Sequence, residues 1–346
     1  MKILVINPGS TSTKIALFND KDTVFEHKFD HAIDNKTSFE DRLALIKAFL
    51  AENKVRELDA VVGRGGMLPP VSSGTYLINK KMLDDLIHRA QAKHASNLGA
   101  PLAKSIADEF KVNAYIVDPV TTDEIIPRHK LTGIPEIKRY AAWHALNQKA
   151  VSRQYALDTN RNYDDLNLIV AHLGGGFSFG AHRKGRVVNV INALAGEGPM
   201  TPERSGFVPP QALIELCYSK KYTKDELLGM IAGNGGLFAH LKTKDLMGLE
   251  KQYTTLAAED RDVIDEMITG ISRAICSLIP EFGGEAIDQI LFTGGVAYWK
   301  MIIEKVKIDL TILPIGFSVY PGEKELGSLR DGAIRVLSGE EKAKEY

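Results

Sequence analysis

Two stretches of this chain share one plan. In the first, the apolar runs Ile3 to Ile6 and Ile15 to Phe18 flank Asn7-Pro8-Gly9-Ser10-Thr11-Ser12-Thr13-Lys14, and a third run, Val24 to Phe29, follows Asn19-Asp20. In the second, residues 167 to 191, an apolar run enters Gly174-Gly175-Gly176, a second leaves it, and a third follows Lys184-Gly185. Each reads as a three-stranded meander with a polar, glycine-bearing first turn. Copies about 165 residues apart indicate a duplicated domain, since a solenoid repeats far more often. The chain's 346 residues are enough for two domains.

Between and after the meanders, strands and helices alternate. Phe39 to Asn53 carries Phe39, Leu43, Ile46 and Leu50 at helical spacing, and Ala60 to Gly63 reads as a short strand. Asn79 to Lys93 and Leu102 to Phe110 read as helices and Ala114 to Asp118 as a strand; Arg139 to Tyr155 is a further helix. In the second half, Pro210 to Ser219, Lys224 to Ile231 and Glu259 to Ile279 are expected helices, and Ile287 to Thr293 a strand. The Ile and Met stripe of the long helix (Ile264, Met267, Ile268, Ile271, Ile275, Leu278) is core packing. Alternation of this kind gives an α/β fold with a largely parallel core.

Four glycine turns directly follow predicted strands: Gly9, Gly65-Gly66, Gly174-Gly175-Gly176 and Gly294-Gly295. In α/β folds ligands bind outside the carboxyl ends of strands. Four such turns in two similar halves point to a nucleotide held in a cleft between domains. The first turn offers Asn7, Ser10, Thr11, Ser12, Thr13, backbone N–H groups and Lys14. These suit phosphate oxygens and a hydrated Mg²⁺, although an ordinary Gly/Ser/Thr turn uses the same residues. The spacing is not that of a Walker A loop.

Composition narrows the partners. A formal net charge of −1 provides no global field for nucleic acid or a membrane surface. Cys217 and Cys276 have no metal or redox spacing, which fits a reducing, cytoplasmic compartment. The four apolar residues before Asn7-Pro8 are too few for a signal peptide, and no apolar run reaches the ~18 residues of a membrane span. Residues 338 to 346 read as a fraying charged end.

Six segments together resemble the acetate and butyrate kinases of the sugar kinase, Hsp70 and actin superfamily, over nearly the whole chain. They are Asn7 to Lys14, Arg139-Tyr140-Ala141-Ala142-Trp143-His144, Ala171-His172-Leu173-Gly174-Gly175-Gly176, Pro202-Glu203-Arg204-Ser205-Gly206, Leu291-Phe292-Thr293-Gly294-Gly295 and Pro321-Gly322-Glu323-Lys324-Glu325. The resemblance implies two duplicated ribonuclease H-like (actin-like ATPase) domains with an interdomain cleft. The expected division is 1–150 plus about 326–346, and 151–325. It also implies a carboxylate kinase moving phosphoryl between ATP/ADP and a short-chain carboxylate or acyl phosphate, with Mg²⁺, and a homo-oligomer is expected. Some positions depart from the acetate kinase pattern. Gly65-Gly66 follow Arg64 directly where acetate kinases place two valines, Gln148 stands where they carry a second histidine, and only Lys244-Asp245-Leu246 stands near their Asp-Phe-Arg. These departures favour the butyrate branch, with an acetate, propionate or branched-acid kinase as the alternative. A nucleotide-gated chaperone or repressor of the superfamily needs a further domain, for which the two halves leave no room.

A carboxylate has a pKa near ~4, so the nucleophile is ionised at neutral pH and needs no general base. Positioning and charge neutralisation remain. By resemblance, Arg64 grips the acid and Arg204 clamps the transferring group, where a bare reading allows surface salt bridges. His144 is expected to donate to the phosphoryl oxygens, against a satisfied core histidine. His172 is either a phosphate contact or a capped strand end, and Asp118 either a helix cap or a group orienting Mg²⁺ or its water. Ser10, Ser12, Lys14, Gly174, Gly175, Gly176, Gly294 and Gly295 are expected nucleotide contacts. Asn7 and Glu323 are the expected metal residues, with Glu325 as the alternative carboxylate.

Overall fold

The structure, a computed structural model, describes residues 1–31, 38–192, 194 and 196–346. The chain forms two compact units: Met1–Asp123 together with Lys324–Tyr346, and Glu124–Glu323.

The first unit is built on β1 (Lys2–Pro8), β2 (Ser12–Asn19), β3 (Asp22–Asp30), β4 (Ala60–Arg64), β5 (Thr75–Leu77) and β6 (Asn113–Val117), in the spatial order β3-β2-β1-β4-β6-β5. β1 pairs antiparallel with β2 and parallel with β4, and β4 runs parallel to β6. Residues Ile3 to Ile6 are fully buried, as expected of a strand covered on both faces. Helix Phe39–Glu52 starts at a capping box in which Ser38 and Asp41 satisfy each other's backbone N–H. Its Ile46 and Leu50 join Leu4, Ile6, Leu102 and Ile106 in one apolar cluster. Helix Glu325–Leu337 packs against β1 and β4.

The second unit is built on β7 (Asn167–Leu173), β8 (Phe177–Arg183), β9 (Arg186–Ile191), β10 (Gln289–Gly294) and β11 (Gly316–Pro321), in the order β11-β10-β7-β8-β9. β7 pairs antiparallel with β8 and parallel with β10, which runs parallel to β11. Setting aside the short β5, the two sheets have the same strand order and directions, so the duplication read from the meanders extends to the whole sheets. The expected stripe of helix Ala258–Ser277 is buried in the core of this unit.

Several expectations change. The division falls at Asp123/Glu124 rather than at 150. The helix across that point, Ala145–Asp158, packs on β7 and β10, and the buried Lys149 Nζ lies 2.8 Å from Glu124 Oε2. That helix begins at Ala145 rather than Arg139, and the helix expected to reach Lys93 is Lys80–His88. The charged C-terminus does not fray: Lys344 N donates to Thr75 O (2.8 Å), Leu77 N donates to Lys344 O (2.9 Å), and Tyr346 Oη donates to Asp85 Oδ2 (2.9 Å). Burial, with the Asp85 carboxylate beside it, pushes the Tyr346 hydroxyl up to about 12. Periodicity does not reveal β5 and β11, because three residues and a half-buried run carry too little pattern.

Candidate active site

In the first unit, Asn7 lies near the end of β1, Arg64 ends β4, and Asp118 follows β6. The three strands are mutually parallel, so these residues share the carboxyl edge of the sheet. Close backbone packing lets Arg64 sit there: a Cβ on Gly63 would lie 2.2 Å from Gly99 O, so only glycine allows the start of helix Gly99–Phe110 to abut β4. Both Asn7 and Arg64 meet Glu325, the first residue of helix Glu325–Leu337. Asn7 Nδ2 donates to Glu325 Oε2 at 2.6 Å, and Arg64 Nη1 is ion-paired with Glu325 Oε1. The neighbour of Asn7 is therefore Glu325, the alternative carboxylate, and not Glu323. Nearby His94 is held below its ordinary range by burial and by the Arg64 charge.

Asp118 is buried with φ 37°, and its Oδ1 accepts from Ser73 Oγ (2.6 Å) and Gly74 N (2.8 Å). It caps no helix, since residues 119–126 form turns and a bridge. Ser10 and Lys14 are exposed and Ser12 is half-buried around the first hairpin tip. Arg42, absent from the sequence reading, holds that tip from beneath. Its Nη1 donates to Gly9 O (3.1 Å) and Thr13 Oγ1 (2.8 Å), and Thr13 Oγ1 also meets His31 Nε2 (2.8 Å). The signal was available, because Arg42 lies at the i−4 and i−8 positions of the buried Ile46 and Leu50. Burial lowers the Arg42 guanidinium, and burial with the Arg42 charge lowers His31.

Gly65-Gly66, one of the departures that favour the butyrate branch, opens no space beside Arg64. A Cβ on Gly65 would lie 2.6 Å from Pro119 Cβ, and one on Gly66 2.6 Å from Leu86 Cδ2. Neighbouring side chains already fill those positions, so the missing valines make no cavity there.

In the second unit, His172 lies near the end of β7 and is fully buried. Its ring stacks on that of His144, with centroids 3.6 Å apart and planes 11° apart. His144 precedes the first turn of helix Ala145–Asp158. His172 Nδ1 meets Asn147 Oδ1 at 2.7 Å, and Nε2 lies 2.8 Å from Glu323 Oε1. One ligand atom from each of His144, His172 and Glu323 falls within 4.8 Å of the others. The structure thus divides the acidic motif, with Glu323 at the histidines and Glu325 at Asn7 and Arg64.

The glycine turn after β7 is tied to the Arg204 loop. Thr201 Oγ1 and Glu203 N both donate to Gly175 O, at 2.8 and 3.1 Å. Arg204 N donates to Thr201 Oγ1 at 3.1 Å, and the Arg204 side chain is largely buried. Gly294, at φ 88°, closes on the same turn: a Cβ there would meet Leu173 O at 2.4 Å. Gly174, Gly175, Gly176, Arg204 and Gly294 therefore cluster about the end of β7. Past Gly295, a groove of about 310 Å³ is lined by Ala297, Tyr298, Ile303, Val319 and Pro321, with Lys300 and Glu304 also on its wall. Among the described residues, no helix is long and apolar enough to cross a membrane.

The fold recurs in solved structures of low identity. Porphyromonas gingivalis acetate kinase aligns with a TM-score of 0.79 at 19% identity, covering 97% of this chain and 99% of that one. A propionate kinase from Francisella tularensis aligns with a TM-score of 0.77 at 20% identity, covering 96% and 98%. Curated relatives match from end to end. A probable butyrate kinase of Clostridium botulinum is 44% identical, covering 100% of this chain and 99% of its own length. Butyrate kinase 2 of Clostridium acetobutylicum is 42% identical with the same coverage, and a probable butyrate kinase of Phocaeicola vulgatus is 44% identical over 98% of both. The model of the Acetokinase family matches residues 126–336, more than half of the sequence. With two duplicated α/β sheets and full-length relatives above 40% identity, the chain belongs to the acetokinase family.

Proposed function

We propose that this protein is a butyrate kinase, which reversibly transfers the γ-phosphoryl group of ATP to butyrate to give butyryl phosphate and ADP. The observation that carries the reading is that, in each unit taken by itself, cationic and donor groups sit at the strand ends, with no general base required. A carboxylate nucleophile is ionised well below neutral pH, so the protein has only to hold it, shield its charge and stabilise the transferring group. In the first unit, Arg64 is assigned to the acid, since a guanidinium grips a carboxylate bidentately. Its ion pair with Glu325 keeps the guanidinium at the strand end, beside the carboxylate assigned to the metal. The exposed hydroxyl of Ser10 and the half-buried one of Ser12, with Lys14, are assigned to phosphate oxygens.

In the second unit, Arg204 and His144 are assigned to the transferring phosphoryl group. Gly174, Gly175 and Gly176, beside His172, are assigned to the nucleotide phosphates, and the groove past Gly294 and Gly295 to the adenosine. Asn7 and Glu325 would hold Mg²⁺, and Asp118 would orient its water. One carboxylate and one amide oxygen are the hard donors Mg²⁺ takes while keeping several waters. When bound, Mg²⁺ supplies charge neutralisation to the phosphates. The protein's residues position the acid and exclude water, which would otherwise compete as phosphoryl acceptor.

The test is a hydroxamate assay with ATP and acetate, propionate, butyrate or isobutyrate under one set of conditions. A site that buries both extra methylenes of butyrate, at about 0.8 kcal/mol each, favours it over acetate by about 1.6 kcal/mol, or roughly fifteenfold in kcat/KM. A preference for acetate would replace butyrate with the shorter acid, and no acyl phosphate from any of the four would overturn the kinase reading.

A further inference from the structure

A buried polar seam runs through the second unit to His144. Residues 144, 148 and 152 follow one another at i, i+4 and i+8, with Gln148 and Ser152 on helix Ala145–Asp158, so they share one side. Ser178, Gly180 and His182 are alternate residues of β8 and share one face. Gln148, Ser152, Ser178 and His182 are all fully buried. The glycine is what lets the seam close: a Cβ on Gly180 would lie 2.5 Å from Gln148 Oε1 and 3.0 Å from His182 Nε2.

The hydrogen bonds along the seam can be assigned a direction from one fixed point. Gln148 has its amide Nε2 3.1 Å from the Ser178 backbone carbonyl, which can only accept. That pins the amide and turns Oε1 toward His182 Nε2, 3.1 Å away, which must then carry a proton. In a neutral ring His182 Nδ1 is then the acceptor for the Tyr163 hydroxyl at 2.8 Å, with Ser152 Oγ 3.2 Å away. On the other side, Ser178 Oγ accepts from Gln148 Nε2 (2.9 Å) and from the His144 backbone N–H (3.3 Å). Both of its lone pairs are used, so its own hydrogen points to His144 Nδ1, 2.8 Å away. A neutral imidazole that accepts at Nδ1 carries its proton at Nε2.

We propose that Gln148 and Ser178 are positioning residues that hold His144 as a single tautomer, protonated on Nε2, with its ring orientation fixed. His182 and Tyr163 anchor the far end of the chain. The inference deepens the assignment of His144 to the phosphoryl group and rests on it, because the locked tautomer presents a donor at Nε2. It also accounts for Gln148 at a position where a histidine would have two tautomers of its own: an amide pinned by a carbonyl has one orientation.

The experiment is ¹⁵N NMR of the full chain with labelled histidine, read with kcat and both KM values. The variants are Ser178→Ala, which deletes the donor to Nδ1, and Gly180→Ala, which displaces the Gln148 amide but keeps the hydroxyl. In the native protein His144 should show a protonated Nε2 and a bare Nδ1. In either variant these shifts should move toward those of an averaged pair of tautomers. At the same time kcat should fall, by about twofold from halving the Nε2–H population and further as the ring loses its fixed orientation, with both KM values held. A native His144 protonated on Nδ1, an averaged native ring, or unchanged shifts in both variants overturns the proposal. Shifts that move as expected with kcat untouched uphold the relay and overturn the role of His144 in phosphoryl transfer.

Discussion

At the residue scale, the two arginines are expected to fail in different ways. Arg64→Ala removes a charge-assisted contact worth about 1.5 to 3 kcal/mol, so kcat/KM for the acid should fall ten- to a hundredfold or more while KM for MgATP holds. Steady-state kinetics with each substrate varied separate the two effects, and unchanged acid kinetics would remove Arg64 from the site. Arg204→Ala should keep both KM values and lose kcat by roughly 10³ to 10⁵, the range of arginine clamps in phosphoryl transfer. Near-normal turnover would make Arg204 a structural residue of the loop that Thr201 ties to Gly175.

At the scale of elements, the first hairpin depends on a helix that follows it in sequence. The tip from Pro8 to Thr13 is short, polar and partly exposed, and Arg42 of helix Phe39–Glu52 supplies donors to it. Arg42→Met keeps the length of the apolar stem but leaves the Thr13 hydroxyl and the Gly9 carbonyl without that donor. Loss of hydrogen bonds to a charged group is expected to cost about 3 kcal/mol. Denaturant unfolding should show the lower midpoint, and amide exchange should quicken at the tip. A midpoint equal to that of the native protein would mean the tip holds itself.

At the scale of the whole molecule, stability in acid depends on contacts between residues far apart in the chain. Glu285 sits against Arg183 at the end of β8, Lys184 Nζ at 3.0 Å and Asn167 Nδ2 at 3.2 Å. These partners, the Arg183 hydrogen bond foremost, hold its carboxyl at about 2 against an ordinary 4.5. The folded value lies below the unfolded one, so the contribution is whole above about 4.5, fades as the pH falls and is gone below about 2. Glu285→Gln should therefore lower stability at neutral pH and narrow the gap to the native protein between pH 4.5 and 2. Unfolding curves of both proteins across that window check this, and a gap that stays constant would show that Glu285 does not titrate as described.

Much of this architecture is local. The β1-β2 and β7-β8 hairpins, the buried stripe of helix Ala258–Ser277 and the glycine turns at strand ends follow from runs of apolar side chains and from turn residues, which act over a few positions. The full-length resemblance carried the family for the same reason, since its motifs are short and contiguous. Pairing over long separations could not be read this way. Glu323 and Glu325 are two residues apart in one acidic motif, yet one meets His172 and the other Asn7 and Arg64. The C-terminal residues read as a solvated end because their charges are local, while the backbone groups they satisfy belong to β5, more than 260 residues earlier. Gln148 looked like a simple departure until β8 brought Ser178 and His182 to either side of its amide. Sequence shows most of the strands, helices and turns, because propensity and periodicity are short-range, and it misses β5 and β11, where the pattern is too short or only half-buried. Tertiary structure alone decides which polar atoms find each other, because a buried donor takes whatever acceptor the packing places within about 3 Å.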